Sequence, residues 1–112
     1  ELSRNCQLII NIANWPDGRR VHWQSLLRSR SIECQSYIAG CNRCGSGNGL
    51  DYSGDSAVYS PTGERTAAAE PYREQLIYAE VLPAVCEGAR ESFPVKNDRR
   101  YDLYRDFYVD VD

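Results

Sequence analysis

Five cysteines, at positions 6, 34, 41, 44 and 86, are the side chains of this sequence best suited to covalent or metal chemistry. A thiol becomes a nucleophile or a metal ligand only as the thiolate. Cys6 is the tempting nucleophile, with a buried or strand-edge thiol as its alternative. Cys41-Asn42-Arg43-Cys44 has the spacing of a metal or redox pair. A structural zinc site takes four ligands, usually from two such pairs, and no second pair exists here. A redox pair of the thioredoxin kind would open a helix, whereas this one follows an apolar run and enters a glycine-rich stretch. Packing at a strand end is the preferred reading of both cysteines. His22, the sole histidine, reads as a residue at a helix start, because the sequence gives it no nucleophile to serve.

Other candidates flank the same apolar runs. Asn14 and Trp15 end the run Leu8 to Ala13, and α/β proteins build their pocket walls at strand ends of this kind. The alternative is a tight turn anchored by the tryptophan. Arg19 and Arg20 could meet a carboxylate through a forked contact, or simply face water. Asn42 is a candidate for orienting groups at the same end of the sheet. Arg30 and Glu33 stand three apart, the spacing of a helix-surface ion pair or of a support behind a site.

The elements that must position these residues follow from periodicity. Leu8-Ile9-Ile10-Asn11-Ile12-Ala13 is short, apolar and β-branched, and predicts a strand buried on both faces. Pro16-Asp17-Gly18 breaks it. From Val21 to Gln35, apolar residues fall at helical spacing along one stripe. Tyr37 to Cys41 predicts a second strand, and Gly45 to Gly49 a loop on composition. Ser56 to Tyr59 and Glu64 to Ala67 flank Ser60-Pro61-Thr62-Gly63, which predicts a hairpin around a tight turn. Glu74 to Val81 predicts a strand. Pro83 suits the first turn of a helix over Ala84 to Ser92, ended by Phe93-Pro94. The remainder, Val95 to Asp112, predicts an irregular tail whose aromatics, Tyr101, Tyr104, Phe107 and Tyr108 among them, need a surface to lie on.

Composition sets the limits. With 112 residues, 42% hydrophobic and 26% charged, the chain has room for one domain and the makeup of a folded one. A net charge of −3 argues against a nucleic-acid partner, which needs a basic surface. No apolar run approaches the roughly 20 residues that span a bilayer. Glu1 to Asn5 lacks the layout of a signal peptide, and the absence of methionine points to a chain whose beginning lies elsewhere. An odd number of irregularly spaced cysteines fits a reducing compartment, so a cytoplasmic location is expected.

The order strand, helix, strand, hairpin, strand, helix is an α/β or α+β pattern. A doubly buried strand at the amino end needs neighbours that this chain does not supply, so the pattern reads as part of a larger fold. Ala13-Asn14-Trp15-Pro16, His22 through Tyr37, Ile38 through Arg43, Gly47-Asn48-Gly49, Tyr52 through Val58, Pro61-Thr62-Gly63-Glu64 and Arg90 through Pro94 together carry a resemblance. In order and spacing they resemble the carbon–nitrogen hydrolase, or nitrilase, superfamily over residues 1 to 104, and within it the bacterial omega-amidase branch.

The resemblance implies the carboxy-terminal part of a four-layer α-β-β-α sandwich, with residues 1–94 in the hydrolase domain and residues 95–112 a tail that could join a dimer. It implies hydrolysis of a small amide, such as a 2-oxo-acid amide, by a Glu-Lys-Cys triad without metal or organic cofactor. None of the three triad residues has a matching position here, and the stretch after Cys6 departs from the family's nucleophile elbow, so no catalytic residue is carried over. The turn at Asn14 and Trp15 borders the nucleophile in such proteins, which implies pocket lining. Arg19, Arg20 and Asn42 remain candidates at the same end. The parent protein is expected to be a homodimeric enzyme and this chain alone inactive. Two alternatives stand beside it: a non-catalytic half-protein that binds a complementary nitrilase-like partner, and a small Cys-X-X-Cys redox or metal module.

Overall fold

A computed structural model describes the backbone of residues 5–108 and the side chains of residues 5–104. Strand β1 (Leu8–Ala13) leads through a short 3₁₀ turn, Asp17–Arg19, into helix α1 (Arg20–Cys34), which returns the chain to β2 (Tyr37–Asn42). β1 and β2 run parallel, from Leu8 opposite Tyr37 to Ala13 opposite Asn42. Parallel neighbours require a crossover of this kind. β5 (Ala57–Tyr59) adds antiparallel to β2, and β6 (Arg65–Ala68) to β5, giving the order β1-β2-β5-β6. A separate ribbon, β3 (Cys44–Gly47) with β4 (Leu50–Ser53), rises from the end of β2. Helix α2 (Pro83–Ser92) and helix α3 (Tyr101–Tyr108) complete the described chain.

The core lies between α1 and one face of the sheet. Trp23 and Leu27 project from α1 onto Ile38, Ala57 and Tyr59. Gly40 makes the approach possible: a Cβ there would stand 2.4 Å from Leu27 Cδ1 and 2.8 Å from Trp23 Cζ2. α1 ends because Gln35 adopts a left-handed conformation, φ 49°, and its N–H returns to the Ile32 carbonyl. The Gln35 amide then donates to the carbonyls of Ala89 (3.1 Å) and Phe93 (2.7 Å), tying the end of α2 to the end of α1. Arg90 of α2 reaches the Cys6 carbonyl and the Ser36 hydroxyl, so the entries of both parallel strands are fastened to α2.

Several expectations hold. The first two strands, α1, the hairpin around Ser60-Pro61-Thr62-Gly63 and α2 with Pro83 in its first turn all form. In that hairpin the Gly63 N–H donates to the Ser60 carbonyl at 2.9 Å, and Gly63 has φ 82°. Arg30 and Glu33 pair on the exposed side of α1. Such a surface pair contributes little to stability.

Others are corrected. Gly45 to Gly49 is not an open loop. Asn48 and Gly49 both have positive φ, 56° and 75°, the backbone of a two-residue hairpin turn, and they join β3 to β4. Glu74 to Val81 forms no strand, because no neighbouring ladder runs along it; Leu76 and Tyr78 are exposed, Tyr78 by 85%. The tail is not irregular where it is described: α3 forms there, with Tyr101 and Tyr104 edge to face at 6.3 Å. The side chains of Phe107 and Tyr108, and residues 1–4 and 109–112, lie outside the described residues.

β1 is the largest correction. Among the described residues it is an edge strand, covered on one face only. Ile9 and Ala13 turn toward α1, whereas Ile10 and Ile12 are bare, Ile12 by 79%. The molecule is accordingly a slab, with extents of 46 × 41 × 17 Å and a radius of gyration of 16.4 Å. A compact chain of this length has a radius near 13 Å.

Two measurements test this packing. Gly40→Ala should destabilise the chain by about 1–3 kcal/mol through overpacking against Leu27 and Trp23, read as a lowered urea midpoint. The chain on its own should sediment as associated species and bind a hydrophobic dye, and Ile12→Lys should reduce both. A monodisperse monomer that leaves the dye dark would refute the bare face.

Candidate functional site

The carboxyl ends of β1 and β2 carry the residues that the sequence singles out. β1 stops at Ala13, and the turn Asn14-Trp15-Pro16 leads into the 3₁₀ turn before α1. Asn42, which ends β2, holds that turn. Its Oδ1 accepts the Trp15 N–H at 2.7 Å, and its Nδ2 donates to the carbonyls of Trp15 (3.1 Å) and Gly54 (2.9 Å). Its backbone N–H donates to Ser56 Oγ at 2.9 Å. Asn42 is buried, and these bonds engage both of its amide atoms. It acts as a clamp between the turn after β1 and the loop after β4.

Trp15 is half-buried. Its indole N–H donates to the Arg19 carbonyl at 2.7 Å, and its ring lies 5.9 Å from that of Trp23. The Arg19 guanidinium is exposed and stands over the Trp15 ring at 5.9 Å. Asn14 is exposed beside it. Arg20 turns the other way, and its fork is occupied: Nε and Nη2 donate to the two oxygens of Asp55 at 2.9 and 2.7 Å. Asn14, Trp15, Arg19 and Asn42 therefore come together, while Arg20 belongs to a network directly behind them.

The sequence reading missed the centre of that network. Asp55 is 7% exposed, and besides Arg20 it accepts from the Ser53 hydroxyl, while its backbone carbonyl accepts the Trp23 indole N–H at 3.0 Å. Burial pushes the Asp55 carboxyl up, but the Arg20 and Ser53 bonds outweigh it and hold the carboxyl below its ordinary value. The same contact, led by its hydrogen bond, raises Arg20.

Tyr72 extends the network. A bulky residue rarely takes positive φ, and Tyr72 has φ 61°. Three contacts hold it there: its N–H donates to the Ser53 carbonyl (2.7 Å), its hydroxyl to Asp17 Oδ1 (2.7 Å), and its ring faces the Arg20 guanidinium at 5.5 Å. The bond to Asp17 raises the Tyr72 phenol above its ordinary value. Only the polar cluster Ser53-Gly54-Asp55-Ser56 hinted at this network in the sequence. Tyr72 and Asp17, 55 residues apart, left no local signal.

A depression of about 570 Å³ opens between the turn after β1 and the tip of the β3–β4 ribbon, lined by Pro16, Asp17, Arg19, Leu50 and Asp51. Among the described residues no group of three or more histidines, cysteines or acids could hold a metal ion. None of the five cysteines is in a disulfide; Cys41 is exposed on β2 and Cys44 opens β3. His22 lies exposed in the first turns of α1. No described helix is long and apolar enough to cross a membrane.

Asp55→Asn keeps the left-handed backbone, φ 54°, that asparagine also tolerates, and removes only the charge. It should cost about 1.5–3 kcal/mol, the worth of hydrogen bonds to a charged group, in urea unfolding at neutral pH. Because the folded carboxyl titrates below its unfolded value near 4, its contribution is complete above about pH 4. It is lost as pH falls through the folded value, and the Asp55→Asn chain should lack that part of the acid dependence.

This geometry has counterparts among known proteins. The carbon-nitrogen hydrolase family model matches residues 3–91. The chain is 49% identical over 92 residues to the omega-amidase YafV of Escherichia coli, covering 81% of this chain and 36% of that one. It is 36% identical over 102 residues to the 2-oxoglutaramate amidase of Bacillus subtilis, covering 91% and 39%. Of solved structures, the CN-hydrolase superfamily protein XC1258 of Xanthomonas campestris superposes with a TM-score of 0.79 at 32% identity, covering 88% of this chain and 42% of that one. The chain thus spans between a third and two fifths of these two curated relatives. With strand order, helix placement and sequence in agreement along nearly its whole length, the chain belongs to the carbon–nitrogen hydrolase family of the nitrilase superfamily.

Proposed function

We propose that this chain is the carboxy-terminal part of an omega-amidase-type enzyme and forms one wall of its active site. The observation that carries this reading is the 49% identity to an omega-amidase along 81% of the chain. The bare face and open edge of β1 support it, since both require a further layer of structure. In this reading the catalytic cysteine, glutamate and lysine lie outside these residues. The cysteine thiolate attacks the carbonyl carbon of a small amide, the glutamate passes the proton to the leaving nitrogen, and the lysine stabilises the oxyanion. Ammonia leaves a thioester, which water hydrolyses to the acid and the free thiol. No metal or organic cofactor takes part.

The residues described here supply positioning. Arg19 lines the depression beside the Asn14-Trp15 turn and offers its guanidinium to a carboxylate on a 2-oxo-acid amide. Asn42 and the Arg20–Asp55 pair hold the turn that carries them. The enzyme works in the cytoplasm as a homodimer, with α1 and the segment after residue 94 as contacts.

The test is a chimaera in which this chain replaces the matching 36% of the E. coli omega-amidase YafV. It should release ammonia from 2-oxoglutaramate, and the 112-residue chain alone should not. Trp15→Ala in the chimaera should lower kcat/KM by about tenfold or more, since displacement of a pocket wall is costly. A folded chimaera without activity, or an active isolated chain, would sink the reading. The same bare face favours one other reading, a non-catalytic half that binds a nitrilase-like partner; tight association of the two separately made parts without ammonia release would favour it.

A further inference from the structure

A second concave site lies about four residues down the sheet from Asn42, between the middle of α1 and the β5–β6 hairpin. Tyr59 stands opposite Ile38 near the start of β2, whereas Asn42 ends that strand, a separation of about 13 Å along it. The depression there has a volume of about 440 Å³, and Arg28, Arg65, Tyr59, Gln24, Ser25 and Glu64 line it. Two arginines from different elements line it together with one phenol. Arg28 is carried by α1, with its stem packed beside Gly63, and Arg65 opens β6.

The phenol is unusual. Tyr59 is 4% exposed and belongs to the core cluster, and it also lines the depression. Burial pushes this phenol up, while the Arg65 and Arg28 charges pull it down; burial prevails, and the hydroxyl keeps its proton at neutral pH. Among the described residues neither Arg28 nor Arg65 forms an ion pair with a carboxylate. The depression therefore presents two guanidinium groups, the Tyr59 and Ser25 hydroxyls and the Gln24 amide with one carboxylate, Glu64. Two guanidinium groups against a single carboxylate fit one ligand chemistry: an oxyanion, which takes forked bonds from guanidinium groups and a further bond from a hydroxyl.

We propose that Arg28, Arg65 and Tyr59 form a binding site for a small oxyanion, a phosphate or carboxylate group on a metabolite, separate from the amide-hydrolysing pocket. The site stands on this chain's own residues, so the fate of the omega-amidase reading does not affect it.

Equilibrium dialysis of the 112-residue chain against radiolabelled inorganic phosphate, at ionic strength fixed with chloride, tests it whatever the association state. One saturable site per chain is expected. Arg28→Gln and Arg65→Gln, both at the exposed surface, should each weaken binding by about tenfold or more, the worth of a charge-assisted bond. Tyr59→Phe keeps the buried ring and should weaken it several-fold, whereas Arg30→Gln on the same helix should leave it unchanged. Competition with succinate separates the sources: displacement assigns a carboxylate ligand, and resistance a phosphate ester. Non-saturable uptake, or equal uptake by the Arg28→Gln/Arg65→Gln double variant, overturns the proposal.

Discussion

A carboxylate taken out of water must be compensated, and the end of the sheet that carries the candidate site is organised by how Asp55 is compensated. Arg20 comes to it from the first turn of α1, Ser53 from the end of β4, and the Trp23 indole from the face of α1 that packs on the sheet. One residue thereby fixes the rotation of α1 about its axis, the course of the loop before β5 and the approach of the β3–β4 ribbon. Asn42 repeats the device with neutral bonds, binding the turn after β1 to Gly54. The exposed Asn14 and Arg19 and the half-buried Trp15 belong to a turn that these two buried side chains hold in place.

The other constraint is the unfinished surface. A strand as apolar as β1 is stable at a sheet edge only if something covers it, and within the described residues α1 covers one face alone. The extended segment around Leu76 and Tyr78 has the same character: apolar side chains, extended backbone and no ladder. Both features lie on a slab 17 Å thick, about the depth of one helix layer on one sheet. The hydrolase relatives are two to three times as long as this chain, so the share of structure they hold beyond the matched region is large enough to supply a second layer.

Much of the fold was legible because its signals are local. The β-branched run Leu8 to Ala13, the stripe through Trp23 and Leu27, the Ser-Pro-Thr-Gly turn and Pro83 each act within one element, and each formed the element expected. The misreadings share a different cause. Glu74 to Val81 has strand composition, but a strand exists only where a partner's ladder runs beside it. The aromatic tail has helical spacing within a charged composition, and α3 formed where the described chain extends that far. Asn48-Gly49 was a local hairpin signal that glycine-rich composition obscured.

The sequence by itself determined the order of the first elements through patterning and connectivity, carried the family in its ordered motifs, and placed Asn14, Trp15, Arg19, Arg20 and Asn42 near strand ends. Only the tertiary structure decided what those side chains do. Arg20 is bound to a carboxylate 35 residues away, Asn42 clamps a turn 27 residues before it, and Tyr72 is held in a left-handed conformation by an aspartate 55 residues off. Hydrogen bonds and charge pairs depend on distance in space, and separation along the chain carries no trace of it. The same reason hid the convergence of Arg28, Tyr59 and Arg65, which only the packing of α1 against the β5–β6 hairpin brings about.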